Sequence, residues 1–483
     1  MNENNLFLGE IKVQNRKSRA TVDFIKTISD LWYENSIELL LFRNQLIDKN
    51  VSEILNLVEY ARKFVEKPIT IYDVLKMAQA IKALDFPTSR LDVGKLSYEY
   101  MLKKNEFQDR ESFLLDELKD IYEAEEVESK DVVLYGFGRI GRLVARELVS
   151  KVGVGRQLRL RAVVVRGEID EDNLEKRAAL LRSDSVHGHF PGTVTVDLEN
   201  KALNINGMTV YFINASSPDE INYTAYDIHN ALIIDNTGVW RNTKSLSQHL
   251  KSKGVSKVLL TAPGKDTIPN IVFGVNHENF DPDTTDVFSA ASCTTNAITP
   301  ILKVIEDNYG VLGGHIETIH AYTNDQNLVD NYHKKYRRGR AAGMNMVITE
   351  TGAGKAVAKA IPQLAGKLTS NAIRVPVPNG SLAILNLTLV NSTDLGHIQN
   401  TIKRAALDGN LVEQIKYAIS NELVSSDIIG TSAPAIYDSF ATIVSETGNN
   451  IILYIWYDNE YGYVHQVIRL AKYISKVRRF YHY

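Results

Sequence analysis

A chain of 483 residues with one cysteine cannot use thiols for internal cross-links. That cysteine, Cys293, lies in Ala291-Ser292-Cys293-Thr294-Thr295-Asn296. Val287-Phe288-Ser289-Ala290 before it reads as a strand end. Ala297-Ile298-Thr299-Pro300-Ile301-Leu302 after it reads as the start of an apolar helix. A thiol at a helix N-terminus feels the positive end of the helix dipole, which favours thiolate. An arbitrary cysteine is more often an inert packing residue. The small hydroxyl residues on both sides of Cys293 argue otherwise, because they leave the thiol accessible and offer hydrogen bonds to an anion.

A second segment with chemical content is Gly136-Phe137-Gly138-Arg139-Ile140-Gly141. It follows the short apolar run Val132-Val133-Leu134-Tyr135. Helical spacing from Arg142 to Ser150 and a second strand from Leu160 to Val165 come after it. Strand, glycine turn, helix, strand is the unit that binds a dinucleotide. Gly136 permits the tight turn, Gly138 lets backbone approach a pyrophosphate, and Gly141 lets helix and strand pack closely. The pyrophosphate then meets the free N–H groups of the helix start. A glycine turn with no ligand is the plainer alternative.

The second strand ends in Val164-Val165-Arg166-Gly167-Glu168. An NAD site usually carries an acid here for the ribose 2′-hydroxyl. Arg166 is instead suited to a 2′-phosphate, so NADP is accepted on this reading. Glu168 could swing in as the missing acid, and Arg166 could be no more than a solvated strand-end residue.

These segments need elements to hold them. Residues 20–127 read as helices. Val51, Ile54, Leu55, Val58, Ala61 and Val65 follow amphipathic helical spacing. Thr70 and Asp73 form a capping box for the next helix, whose inner face carries Val74, Met77, Ala78 and Ile81; Pro87 ends that stretch. Glu111 to Glu128 holds eight acidic residues and one lysine, yet Leu114, Leu118 and Ile121 keep a helical stripe. It reads as a solvated helix leading into a linker. The texture changes at Asp131.

The totals agree with a soluble protein of two to four domains. Hydrophobic residues make up 44%, enough for sizeable cores, and a net charge of -3 gives no support for a nucleic-acid surface. The polar start Met1-Asn-Glu-Asn-Asn-Leu has no signal-peptide core, and the run Leu39 to Phe42 is far too short to span a bilayer. With one cysteine, these features point to a reducing cytoplasm.

From about Asp131 onward the chain resembles the phosphorylating glyceraldehyde-3-phosphate dehydrogenase family. The resemblance rests on the Cys293 segment, the glycine turn, Glu317-Thr318-Ile319-His320-Ala321-Tyr322-Thr323, Ile373-Arg374-Val375-Pro376 and Trp456-Tyr457-Asp458-Asn459-Glu460-Tyr461-Gly462-Tyr463. Further echoes are Asp184-Ser185-Val186-His187-Gly188, Asn236-Thr237-Gly238-Val239, Leu260-Thr261-Ala262-Pro263 and Gly274-Val275-Asn276-His277. It leaves out the first 130 residues. The resemblance implies catalytic Cys293 and His320; spacing alone does not single out one of the eleven histidines. It implies that Ser292, Thr294, Arg338, Thr351 and Gly352 bind inorganic phosphate, and that Thr323, Asp325 and Arg374 bind the substrate phosphate. The cofactor set is Gly136, Phe137, Gly138, Arg139, Ile140, Gly141, Arg166, Thr237, Gly238, Asn459 and Tyr463. Asn459 would hold the nicotinamide carboxamide and Tyr463 would pack beside the ring. No metal is implied. The departures are Arg166-Gly167 in place of an Asn-Asp pair, Ala297 where many members have a second cysteine, and the N-terminal extension.

The resulting expectation is α/β: a Rossmann-type nucleotide-binding domain at 129–292, completed by a C-terminal helix at 461–483. An α+β catalytic domain with an antiparallel sheet covers 293–460. An all-α extension covers 1–128. The resemblance implies oxidative phosphorylation of glyceraldehyde 3-phosphate with NAD or NADP and inorganic phosphate, in a cytoplasmic homotetramer without nucleic-acid or membrane partners. One alternative is erythrose-4-phosphate dehydrogenase activity; retention of Arg338 and Thr351-Gly352 favours phosphate attack. Another is a regulatory or binding protein that works through its helical extension.

Overall fold

The structure is a computed structural model that describes residues 3–124 and 128–482. The chain forms two compact units. The first comprises Met1–Ser129, Val152–Gln157 and Val477–Tyr483; the second comprises Lys130–Lys151 and Leu158–Lys476.

The first unit is mainly helical. A long helix, Glu3–Asn35, buries Phe24, Ile28, Leu31 and Trp32 at helical spacing. The helix Val51–Lys63 is capped by Asn50, and Ile71–Ala83 by the Thr70–Asp73 box, with Thr70 N–H donating to Asp73 Oδ2 at 2.9 Å. Val74, Met77, Ala78 and Ile81 are buried as their spacing requires. The acidic stretch forms helices Arg110–Glu117 and Lys119–Tyr122, with Leu114, Leu118 and Ile121 inward. The linker expected next falls partly on 125–127, outside the described residues.

The extension also contains a four-stranded sheet, which corrects the all-α expectation. Its strand order is Asn44–Gln45, Glu38–Leu41, Ser89–Asp92, Phe480–His482. Strands of four residues or fewer carry too little alternation to be distinguished from helix turns. The last strand arrives from the far end of the chain, pairing in parallel with Ser89–Asp92. Glu38 ties it in: Arg479 Nη1 donates to Glu38 Oε2 at 2.7 Å, Arg90 lies 3.2 Å from the same oxygen, and the Arg479 guanidinium stacks over Trp32. The C-terminal helix therefore ends at Ile474 in the second unit, not at 483 as expected, and the residues from Val477 belong to the extension.

The second unit holds two eight-stranded sheets. In the first, the strand order is Val287–Ser289, Val255–Leu260, Ala231–Asp235, Lys130–Tyr135, Leu158–Val165, Met208–Asn214, Ala202–Ile205, Val194–Asp197. Its first six strands are parallel, and Lys130–Tyr135 sits where the order reverses. That switch point is where open α/β sheets take ligands. The second sheet is mostly antiparallel, as expected, with two parallel pairs: Val311–Ala321 beside Leu368–Val375, and Ile415–Ala418 beside Ala435–Asp438. Its core packs against the helix Cys293–Tyr309, which buries Ala297, Ile298, Ile301, Leu302 and Ile305. Among the described residues no helix is long and apolar enough to cross a membrane.

Candidate active site

Cys293 is the first residue of the helix Cys293–Tyr309. Ser292 caps that helix by accepting from Thr295 N–H at 3.0 Å. Ala291 just before it has φ +55°, a left-handed conformation that costs an alanine energy and is held in place by its neighbours. Tyr463 Oη donates to Ala291 C=O at 2.9 Å, and Asn296 Nδ2 donates to Ala290 C=O at 2.7 Å. The Tyr463 expected beside the nicotinamide ring thus also anchors the turn that presents the thiol.

His320, on the strand Val311–Ala321, brings Nε2 to 3.6 Å from Cys293 Sγ. Burial pushes the Cys293 thiol up; Arg374 and hydrogen bonds from Thr294 and the first-turn amides pull it back only in part. Burial, then Arg374, drives His320 down to about 3. Burial at Cys293 thus opposes the thiolate that the helix N-terminus favours. A neutral imidazole at this distance can take the thiol proton as a nucleophilic attack develops.

Tyr457 lies under this pair: its hydroxyl is 3.1 Å from Thr294 Oγ1 and 2.7 Å from Thr318 Oγ1. It joins the thiol's helix to the histidine's strand.

The arginines converge on the same place. Arg374, on Leu368–Val375, is in register with His320 across the sheet and puts Nη1 2.7 Å from His320 Nδ1. The same Nη1 donates to Ala321 C=O at 2.8 Å, while Arg374 Nε is buried without a hydrogen bond. Arg338 pairs with Asp325 and donates from Nε and Nη2 to Thr349 Oγ1 at 3.1 and 3.0 Å. Thr323 donates to the other Asp325 oxygen. Burial raises the Asp325 carboxyl, but Thr323 and the two arginines outweigh it and hold it below its usual range. Thr351 takes Ala353 N–H at 3.3 Å, at the start of Ala353–Ala360, and Gly352 is exposed beside it. The site thus sets Arg374, Asp325 and Arg338 around His320, each acting electrostatically on it.

The glycine turn has the shape a dinucleotide needs. Gly136 has φ +95°, which glycine alone adopts freely, and a Cβ on Gly141 would stand 2.4 Å from Gly136 O. Gly138 begins the helix Arg139–Ser150 without a side-chain cap, so the first-turn N–H groups remain for phosphate oxygens. Phe137 is buried against Phe212, and Ile140 is half-buried. Thr237 N–H and Oγ1 both donate to Asp235, fixing the Thr237-Gly238 turn on the adjacent strand end. Asn459 is buried; its Oδ1 accepts from Ser381 Oγ at 2.8 Å, which leaves its N–H groups as donors for a carboxamide. These residues fit NAD(P). Arg166 is exposed at the strand end, and Gly167 has φ +96°, a conformation that an aspartate there would adopt only with strain.

Several bonds at the site join an expected residue to one that was not expected there. Arg139 forms a bidentate pair with Glu460, at 2.5 Å to each oxygen, and reaches Asp184 at 3.3 Å; His187 Nε2 adds a contact to Glu460 at 3.1 Å. The glycine turn is thereby bonded to the residue after Asn459. Asp458 accepts from Asn379, Gly430, Glu460 and Tyr461 and braces the same segment. Thr349, Ser381 and Tyr457 were also missed. Glu460 and Tyr457 flank Asn459 within its motif, a signal that could have been used; Thr349 and Ser381 carry none.

Comparison with known proteins places these segments together. Residues 130–243 match the family described as glyceraldehyde 3-phosphate dehydrogenase, NAD binding domain, and 292–459 match its C-terminal domain. A glyceraldehyde-3-phosphate dehydrogenase-like protein of Pseudomonas aeruginosa (strain UCBPP-PA14) is 46% identical over 453 residues, 93% of this chain and 97% of the relative. That span takes in most of the extension. Glyceraldehyde-3-phosphate dehydrogenase 2 of Nostoc sp. is 37% identical over 71% of this chain and 98% of its own. The Neurospora crassa glyceraldehyde-3-phosphate dehydrogenase is 40% identical over 72% of this chain and 97% of its own. The chain belongs to the glyceraldehyde-3-phosphate dehydrogenase family.

Proposed function

We propose that this enzyme oxidises D-glyceraldehyde 3-phosphate to 1,3-bisphosphoglycerate, reversibly, through a thioester on Cys293, with NAD or NADP. The observation that carries the reading is the Cys293–His320 pair with Arg374 against the histidine and Arg338 close by. Two guanidinium groups beside a nucleophile suit a substrate and a co-substrate that both carry phosphate.

On this reading the Arg374 Nε donor, with Thr323, takes the substrate phosphate. His320 Nε2 accepts the thiol proton as sulfur bonds to the aldehyde carbon. The resulting thiohemiacetal oxyanion is stabilised by the Cys293 N–H at the helix start and by protonated His320. His320 passes this proton to the oxyanion, giving the neutral thiohemiacetal, and takes it back as the carbonyl re-forms and hydride departs. The bound dinucleotide supplies the hydride acceptor, which leaves the carbon as a thioester. Ser292, Thr294, Thr351, Gly352 and Arg338 then position inorganic phosphate for attack, and the Cys293 thiolate leaves. Asn459 orients the carboxamide, and Arg166 supports acceptance of NADP.

A homotetramer in the cytoplasm completes the reading. The family resemblance supports it, as does the exposure, in the single chain, of Leu328, Tyr332, Tyr336 and Met344 at 87%, 90%, 95% and 84%. So many apolar groups along one segment suit burial between subunits. Assaying acyl-phosphate formation with purified protein, each dinucleotide in turn, tests the activity. Dinucleotide reduction that does not depend on phosphate would overturn the phosphorylating reading. Light scattering of the purified protein tests the tetramer.

A further inference from the structure

The strand Leu158–Val165 lies beside Lys130–Tyr135, and Val164 C=O accepts Gly136 N–H at 2.9 Å. The residues just past Val164 therefore lie next to the glycine turn. Arg166 is there, and a second arginine joins it from the helix Glu171–Arg182: Arg177 Nη2 reaches Arg166 C=O at 3.4 Å. Arg177 is half-buried, its Nε is buried without a hydrogen bond, and burial holds its guanidinium below the usual range.

Neither arginine has a carboxylate partner among the described residues. Three acids at that helix are occupied: Asp170 accepts Asn173 N–H at the helix start, Asp172 pairs with Lys176, and Glu175 pairs with Arg182; Glu171, in the first turn, is exposed and pairs with neither arginine. A partly desolvated guanidinium without a counter-ion is unfavourable unless an anion comes to it. Arg177 is such a group, and it meets the exposed Arg166 at a strand end that carries no acid through Gly167.

We propose that Arg177, together with Arg166, forms the receptor for a phosphate on the adenosine ribose, so that Arg177 sets the preference for a 2′-phosphorylated dinucleotide. The proposal rests on the reading above that the dinucleotide sits on the glycine turn. Arg177 has its N–H groups in a fixed fork, and its bond to the Arg166 carbonyl sets that fork at the strand end. Arg166 is exposed and supplies a second positive charge.

The test is calorimetric titration of the full-length protein with adenosine 2′,5′-bisphosphate and with 5′-AMP. Wild type is expected to bind the bisphosphate at least about tenfold more tightly. Arg177→Gln should reduce that ratio by about ten- to a hundredfold and leave 5′-AMP binding unchanged. Arg177→Lys keeps the charge but not the fork and should fall between; it also serves if the glutamine variant does not fold. An unchanged ratio in these variants, or a wild type that binds both ligands equally, overturns the role of Arg177. If 5′-AMP and NAD both fail to bind wild type, the dinucleotide reading itself falls, and the proposal with it.

Discussion

Arg374 Nη1 stands 2.7 Å from His320 Nδ1, and the Ala321 carbonyl stands 2.7 Å from the same nitrogen. One nitrogen cannot serve both. If Nδ1 carries its proton it donates to Ala321 C=O, and Nε2 is free to take a proton from the thiol. If Arg374 donates to Nδ1, the proton sits on Nε2 and the histidine cannot act as base towards a thiol. An anion that draws Arg374 away from Nδ1 therefore favours the basic arrangement. On the proposed reading the phosphate of glyceraldehyde 3-phosphate is such an anion.

Arg374→Leu follows directly from this competition. The variant should lose about a hundredfold or more in kcat/KM for the phosphorylated aldehyde, the scale of a charge-assisted contact made and lost. With unphosphorylated glyceraldehyde the loss should be much smaller, because no phosphate is there to be recognised. Steady-state kinetics with the two aldehydes decide it. Equal losses would mean that Arg374 works mainly by orienting His320.

Acid should destabilise the fold partly through His320. Its folded-state pKa is driven down to about 3 by burial and by Arg374, against an ordinary value of 6.5. Between those values the unfolded chain binds a proton that the folded chain does not, so this contribution is present above about 6.5 and is lost as pH falls towards 3. His320→Asn removes the difference. Urea midpoints measured from pH 7 to pH 4 should fall less steeply for the variant than for wild type.

Cys293→Ser should abolish turnover and leave dinucleotide binding intact, since no other thiol exists in the chain. Acylation by His320→Asn should be slower by about 10²–10⁴-fold, the range for a general acid–base residue. Rapid-quench measurement of the first turnover separates these from effects on product release. Residual oxidation by the serine variant at more than a trace would rule out the thioester.

Ser381→Ala should weaken the cofactor and the fold together. Ser381 Oγ accepts Ala321 N–H at 3.1 Å and donates to Asn459 Oδ1, so its loss leaves two buried polar groups unsatisfied. About 1–3 kcal/mol of stability should go. The KM for the dinucleotide should rise, since the Asn459 amide is then free to rotate. Denaturant midpoints and NAD titration read the two effects.

How far the sequence carried depended on where each signal lay. The glycine turn was legible because strand, turn and helix are contiguous, and their physical demands fall within a few residues. Cys293 was legible for the same reason: helix start, hydroxyl neighbours and thiol form one segment. His320 needed the family resemblance, because its partner is 27 residues away and joins it only in the fold. Glu460 and Arg139 are 321 residues apart, and Ser381 and Asn459 are 78 apart, so no local pattern announced either bond. The small sheet of the extension was missed for a similar reason, since its strands are short and one comes from the opposite terminus. Burial of the thiol, which opposes the helix dipole, cannot be read from neighbours in sequence.

That last strand of the extension, Phe480–His482, has a consequence for how the protein is made. At about 5–20 residues per second, the ribosome spends roughly 20–70 s between residue 130 and Phe480. For that interval Ser89–Asp92 has an open edge and Glu38 lacks Arg479. Most of the extension is made before the second unit, but its sheet can be completed only after Phe480–His482 emerge. A chain that stops before Phe480 keeps this edge exposed, and an unpaired strand edge is a template for pairing with other chains.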